Sequence, residues 1–124
     1  MANVTSAMVT FVRSWPECGT TGHDRVGMLC RLEDATTGIA AGGNSNTIPA
    51  SAFGLTKVES CGNLLVYTTS TGASVKMYLM APNYDGTLIH AIDVTNATDG
   101  NRFNVADVAI ATTQRGLMEI HGYR

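Results

Sequence analysis

The sequence predicts an all-β fold, a jelly-roll-like β-sandwich of about eight strands with one long loop. Three observations carry this reading. Residues 25–33 alternate strictly: Val26, Met28, Cys30 and Leu32 fall on one face, and Arg25, Gly27, Leu29, Arg31 and Glu33 on the other. That two-residue period belongs to a strand with one buried face. Residues 64–94 hold three apolar, β-branched-rich runs, cut by the Ser/Thr/Gly tract 69–74 and by Pro82-Asn83-Tyr84-Asp85-Gly86. This pattern reads as an antiparallel meander. No segment of the chain carries a convincing helical pattern, and its 124 residues suffice for a single domain, 1–124.

Taken in order, residues 4–15 form a first strand. Ala7, Val9, Phe11 and Trp15 share one parity, interrupted by Arg13, and Pro16 ends the run because it cannot donate to a ladder. Residues 17–24 are a loop, and residues 25–33 the second strand. Residues 34–48 are a long irregular segment centred on Gly42-Gly43, of a length that in small domains is usually functional or mobile when free. Pro49 to Gly54 makes one helical turn, with Pro near its start and Gly at its end. Strands follow at 55–61, 64–68, 75–80 and 87–94. In the last of these Leu88, His90, Ile92 and Val94 share a face, which predicts a core or interface position for the imidazole. Residues 95–101 are a polar loop, 103–113 a strand, Gln114-Arg115-Gly116 a turn, and 117–123 the final strand.

Composition narrows the function. Charged residues make up only 15% of the chain, against about 25% in an average soluble domain. Gly, Ala, Thr, Ser and Asn fill the difference, as on a surface largely covered by neighbours. The formal net charge is -2 and no basic run occurs, so an electrostatic footprint for nucleic acid is missing. No stretch approaches the about 20 apolar residues of a membrane-spanning helix. The beginning of the sequence has neither a basic segment nor an apolar one, so no secretion signal is expected. Three cysteines (Cys18, Cys30 and Cys61) then read as free thiols in a reducing compartment.

The residues with side chains capable of chemistry do not assemble into a motif. Cys18, His23, Cys30 and Cys61 lack the paired spacing by which one turn presents two ligands to zinc. Cys18, His23 and Asp24 lie close in sequence, whereas a nucleophile and its base normally come from separate elements; they read as a polar turn. Glu119 and His121 fall on one side of a strand and read as a solvated pair. Asp99-Gly100-Asn101 and Asp85-Gly86 read as tight turns and not as calcium loops. Gly42-Gly43 lacks the helix and Lys of a phosphate loop. Met77, Met80 and Met118 read as gap-filling core or interface side chains. No catalytic, cofactor-binding or metal-ligating residue is assigned, and no enzyme activity is expected.

Several of these features together resemble the small β-sandwich decoration (cement) proteins of tailed bacteriophage heads. They are the start Met1-Ala2-Asn3-Val4, the Ala/Thr/Gly/Asn-rich strands, the segment Gly62-Asn63-Leu64-Leu65-Val66, and the Tyr84-Asp85-Gly86 turn with its flanking strands. No binding residue transfers position by position. The resemblance implies a virion structural protein on the outer capsid surface, made in the host cytoplasm. Its partners would be the major capsid protein and copies of itself, without direct contact to nucleic acid or membrane. The two ends of the chain, residues 4–11 and 117–124, are the expected pairing edges, with Arg124 reaching a capsid carboxylate. The alternatives are a carbohydrate-binding or other recognition module, which would display exposed aromatics, and a small β-barrel enzyme, which would display a tight His/carboxylate metal motif.

Overall fold

The computed structural model describes residues 4–17, 24–39, 47–93, 104–106 and 108–124. The fold is all-β. Its strands are β1 (Val9–Pro16), β2 (Arg25–Leu32), β3 (Thr47–Pro49), β4 (Lys57–Cys61), β5 (Leu64–Thr68), β6 (Ser74–Pro82), β7 (Leu88–Asp93), β8 (Asn104–Ala106) and β9 (Gln114–Tyr123). Helical structure among the described residues is confined to two 3₁₀ turns, Ser6–Met8 and Ala50–Phe53.

The strands join in one antiparallel path, β1-β2-β9-β5-β6-β7-β3, with β4 also paired to β9 and β8 to β7. β9 is the spine. β2 runs along one side of it from Arg25↔Tyr123 to Leu32↔Gly116. β5 and β4 share its other side, at Leu65↔Leu117 and Val58↔Gly122 respectively. The sheet curls at β6, whose first half pairs with β5 and whose second half, from Leu79, pairs with β7. One strand serving two ladders is how a sheet turns a corner and closes over its own core.

That core takes the alternate residues of β2 (Val26, Met28, Cys30, Leu32), with Met118 and Ile120 of β9, Leu64 and Val66 of β5, and Ile89 and Ala91 of β7. Phe53, brought in by the second 3₁₀ turn, is 1% exposed; burying such a side chain stabilises by about 1.5–3 kcal/mol. The turn ends where the sequence predicts. Gly54 caps it at φ 71°, and its N–H donates to the Ala50 and Ser51 carbonyls.

Several expectations are corrected. Residues 6–8 are a 3₁₀ turn and the first strand runs through Pro16, which is tolerated because β1 is an edge. Residues 114–116 are strand, not turn: Gly116 packs against Leu64, Ile110 and Leu32, where a side chain would not fit. Among the described residues of 103–113 only Asn104–Ala106 is strand. Ile110 instead makes an isolated bridge to Ile39. The segment 34–48 is structured at both ends. Asp34 Oδ1 accepts from the Thr36 and Thr37 N–H groups, and Thr47 and Ile48 belong to β3; its centre, 40–46, lies outside the described residues. The C-terminal strand is not a pairing edge, because β9 is flanked on both sides.

Candidate functional site: a free edge strand and the histidine cluster behind it

Among the described residues β1 is held by β2 alone and ends the sheet. Six of its eight residues are exposed, on both faces, and only Val9 and Trp15 are half-buried. Phe11 is 53% exposed and Val12 47%. The register to β2 slips between Phe11 and Arg13, leaving Val12 as a bulge. The bulge has a steric consequence. Val9 and Phe11 pair with Leu32 and Cys30 on the core side, whereas Arg13 and Trp15 pair with Leu29 and Gly27 on the outer side. The common parity of Phe11 and Trp15 expected from the sequence is thereby broken.

On the outer face Trp15 presses onto Gly27; a side chain at position 27 would collide with the indole and with the Glu17 carboxylate. The indole meets His121 edge-on, with ring centroids 6.0 Å apart at 70°. The Arg13 guanidinium lies over it, 5.6 Å from the centroid. His121 is the hub. Its Nδ1 is bonded to Glu17 Oε1 and its Nε2 lies 2.9 Å from Glu119 Oε1. Arg25 reaches both Glu17 (Nε to Oε2, 3.4 Å) and Glu59 (3.4 and 2.8 Å being the two ion-pair distances, the shorter to Glu59). The Tyr123 hydroxyl donates to Glu59 Oε1 at 2.9 Å. Burial by itself would lower the His121 pKa, but the hydrogen bonds to Glu17 and Glu119 and their negative charge outweigh it and raise the value. With a carboxylate on each ring nitrogen, both N–H groups of the protonated ring have an acceptor, which favours the imidazolium over the neutral ring.

The other residues considered in the sequence do not join this cluster. His90 is half-buried on the outward side of β7, and the buried side carries Ile89 and Ala91; of the core or interface position expected for the imidazole, the core half is corrected. Cys30 is fully buried on the Val26/Met28/Leu32 face, as expected, and Cys61 is half-buried; burial pushes their thiols up to about 12 and about 11. Asp24 is exposed, 3.8 Å from Arg124. Cys18, His23, Gly42-Gly43 and Asp99-Gly100-Asn101 lie outside the described residues. Asp85-Gly86 is a turn: Asp85 Oδ1 accepts from Thr87 N–H and Oγ1–H at 3.1 and 2.7 Å, and Gly86 has φ 75°. Met28, Met80 and Met118 are core, whereas Met77 is 55% exposed. Among the described residues no group of three or more His, Cys, Asp or Glu could hold a metal ion, and no helix is long and apolar enough to cross a membrane.

The sequence reading placed Glu119 beside His121 but missed Glu17, Arg25, Trp15 and Glu59. One signal was present: an isolated Gly27 inside an otherwise regular strand marks the close approach of another group. No family model matches this chain, and no curated protein and no solved structure matches it.

Proposed function

We propose that this chain is a non-catalytic virion structural protein, a decoration (cement) protein that sits on the outer capsid surface and bridges major capsid protein subunits. A jelly-roll-like sandwich is the regular form proposed for its curled sheet. The observation that carries the reading is β1: a ladder edge with no second partner strand among the described residues, and with Phe11 and Val12 exposed at 53% and 47%. An edge strand offers unpaired N–H and C=O groups to another chain, and exposed apolar side chains beside them favour burial in a partner. Protein that does no chemistry must draw affinity from area and copy number. A stable contact buries about 1,200–2,000 Å² in total, and weak contacts repeated on a lattice add as avidity. Sparse charge and abundant small residues suit that use. Arg124, half-exposed at 3.8 Å from Asp24, is available to a capsid carboxylate.

The glycan-recognition reading has Tyr84 in its favour, fully exposed at the tip of the β6–β7 turn. Trp15, the stronger stacking residue, is covered by Gly27 and Arg13 and is not free for a sugar ring.

The test is co-sedimentation of the folded protein with undecorated capsids. Truncation of residues 1–10 is a poor probe, because Val4 is only 3% exposed and belongs to the core. The double variant Phe11→Ser/Val12→Lys alters the edge and leaves the core intact. The full chain is expected to pellet with capsids and the variant to stay in the supernatant. Equal pelleting removes β1 from the contact. Failure of the full chain to bind any capsid, with a signal on a glycan array, decides for the alternative.

A further inference from the structure

Among the described residues β1 has a strand on one side only, β2. The Glu17 N–H donates to the Arg25 carbonyl at 3.0 Å. This bond continues the β1–β2 ladder, which runs to Pro16↔Val26, and side chains on the outer face add to it: Trp15 on Gly27, and the Glu17 carboxylate on His121 and Arg25. Within that group His121 differs from its neighbours in one respect. Arg25 keeps its charge at any ordinary pH, whereas an imidazole can lose a proton near neutrality.

Two acceptors on one imidazole require two N–H donors. The neutral ring has one. When the proton leaves, one carboxylate faces a nitrogen lone pair and must turn away, and the bond that survives loses its charge assistance. Glu119 is the one to leave. Its side chain is 51% exposed and can swing into water, whereas Glu17 is 18% exposed and is also paired with Arg25. Glu119 also lines, with Arg13, Trp15 and Leu29, a surface cleft of about 370 Å³ beside the indole. Its departure therefore removes one wall of the cleft in which Trp15 sits, at the same step that weakens the Glu17 tie.

We propose that His121 is a protonation latch for the trailing end of β1. As imidazolium it clamps Glu17 of that end and Glu119 of β9 together over Trp15; as neutral imidazole it releases Glu119 and holds Glu17 by an ordinary hydrogen bond. Among the described residues, four parts of the fold bring charged and titratable groups to it. β1 and the residue after it bring Arg13 and Glu17; β2 brings Arg25, with Gly27 opposite the ring; β4 brings Glu59, with Ser60 opposite the ring; and β9 itself brings Glu119 and Tyr123. Three of these are carboxylates. Arg25 is shared between Glu17 and Glu59, so the imidazolium is the cation that Glu119 depends on. The latch belongs to the isolated chain and holds whether or not the chain attaches to capsids.

The experiment uses the single tryptophan of the chain as its reporter. Trp15 fluorescence of the full chain is followed from pH 5 to pH 9, and amide exchange of β1 is measured over the same range and corrected for the intrinsic pH dependence. The expected result is one fluorescence transition with a midpoint above the ordinary imidazole value of about 6.5. β1 protection is expected to fall through the same midpoint. Glu119→Gln and Glu17→Gln each lower the midpoint by about one pH unit, and His121→Gln abolishes the transition. The ring-proton titration of His121 in the unmodified chain, followed by nuclear magnetic resonance, gives the midpoint without any substitution and guards against a variant that fails to fold. A midpoint at or below 6.5 overturns the proposal. So does a transition that survives in folded His121→Gln, or β1 protection that does not change across it.

Discussion

At the scale of single residues, close packing, buried polarity and titration each set testable values. Gly122 of β9 lies against the Lys57 carbonyl, so closely that a Cβ at position 122 would overlap it, with Leu55 and Val58 behind. Gly122→Ala is therefore expected to force the β4 and β9 backbones apart and to cost about 1–3 kcal/mol, read as a lower denaturation midpoint in urea. Wild-type stability in that variant would show that β4 can shift freely. Cys30 is fully buried in the apolar core on the Val26/Met28/Leu32 face, so Cys30→Ser leaves a hydroxyl there at about 1–3 kcal/mol if it finds no partner. Titration adds a third value. Asp34 and Asp85 accept hydrogen bonds from Thr37 and Thr87 that hold their carboxyls below the ordinary 3.8. Their stabilisation is present above that value and is lost as pH falls through the lowered one. His121 works in the opposite sense. Its raised pKa gives stabilisation that is complete below the ordinary 6.5 and is lost as pH rises through the folded value. These groups together place the greatest stability between about pH 4 and 6.5. Urea midpoints that climb steadily from pH 6 to pH 8 would contradict the His121 part.

At the scale of the element, β1 and β9 behave in opposite ways although both are apolar and lie near the ends of the chain. β9 is ten residues long and flanked along its length, and it alternates buried and outward residues. β1 is eight residues long and, among the described residues, bonded on one side only. Substitutions on its exposed residues are expected to leave stability within about 0.5 kcal/mol while removing association. Phe11→Ser/Val12→Lys should thus unfold in urea with the parent chain, and equally potent substitutions in β9, such as Ile120→Ser, should not. A large stability loss from the β1 pair would mean that the strand is a structural part of the monomer and not a docking edge. The bulge at Val12 belongs at this scale too. It turns Trp15 to the outer face, where the indole covers Gly27 and meets His121.

At the scale of the whole molecule, the curl at β6 lets one sheet enclose its own core, with 3₁₀ turns as the helical elements among the described residues. Far-ultraviolet circular dichroism is expected to be dominated by strand, with less than about a tenth helix against a base rate near a third; a helical spectrum would end this description. Thiol labelling in denaturant without reductant should count three thiols from Cys18, Cys30 and Cys61. A count of one would mean that a disulfide joins two of them.

The sequence by itself determined the β class, the buried face of β2, the meander of β5, β6 and β7, the cap at Gly54 and the turn at Asp85-Gly86. Each follows from alternation or from turn chemistry within a few residues, which a linear reading contains. The tertiary structure decided the rest. Both parities of 87–94 carry apolar residues, so periodicity could not say that Ile89 and Ala91, and not His90, face the core; only the strands packed against β7 select a side. The central place of β9 likewise depends on β2, β4 and β5 pairing to it from distant parts of the chain. The cluster was out of reach for the same reason. Glu17 and His121 are 104 residues apart, and a hydrogen bond across that separation exists only once β1, β2 and β9 lie side by side.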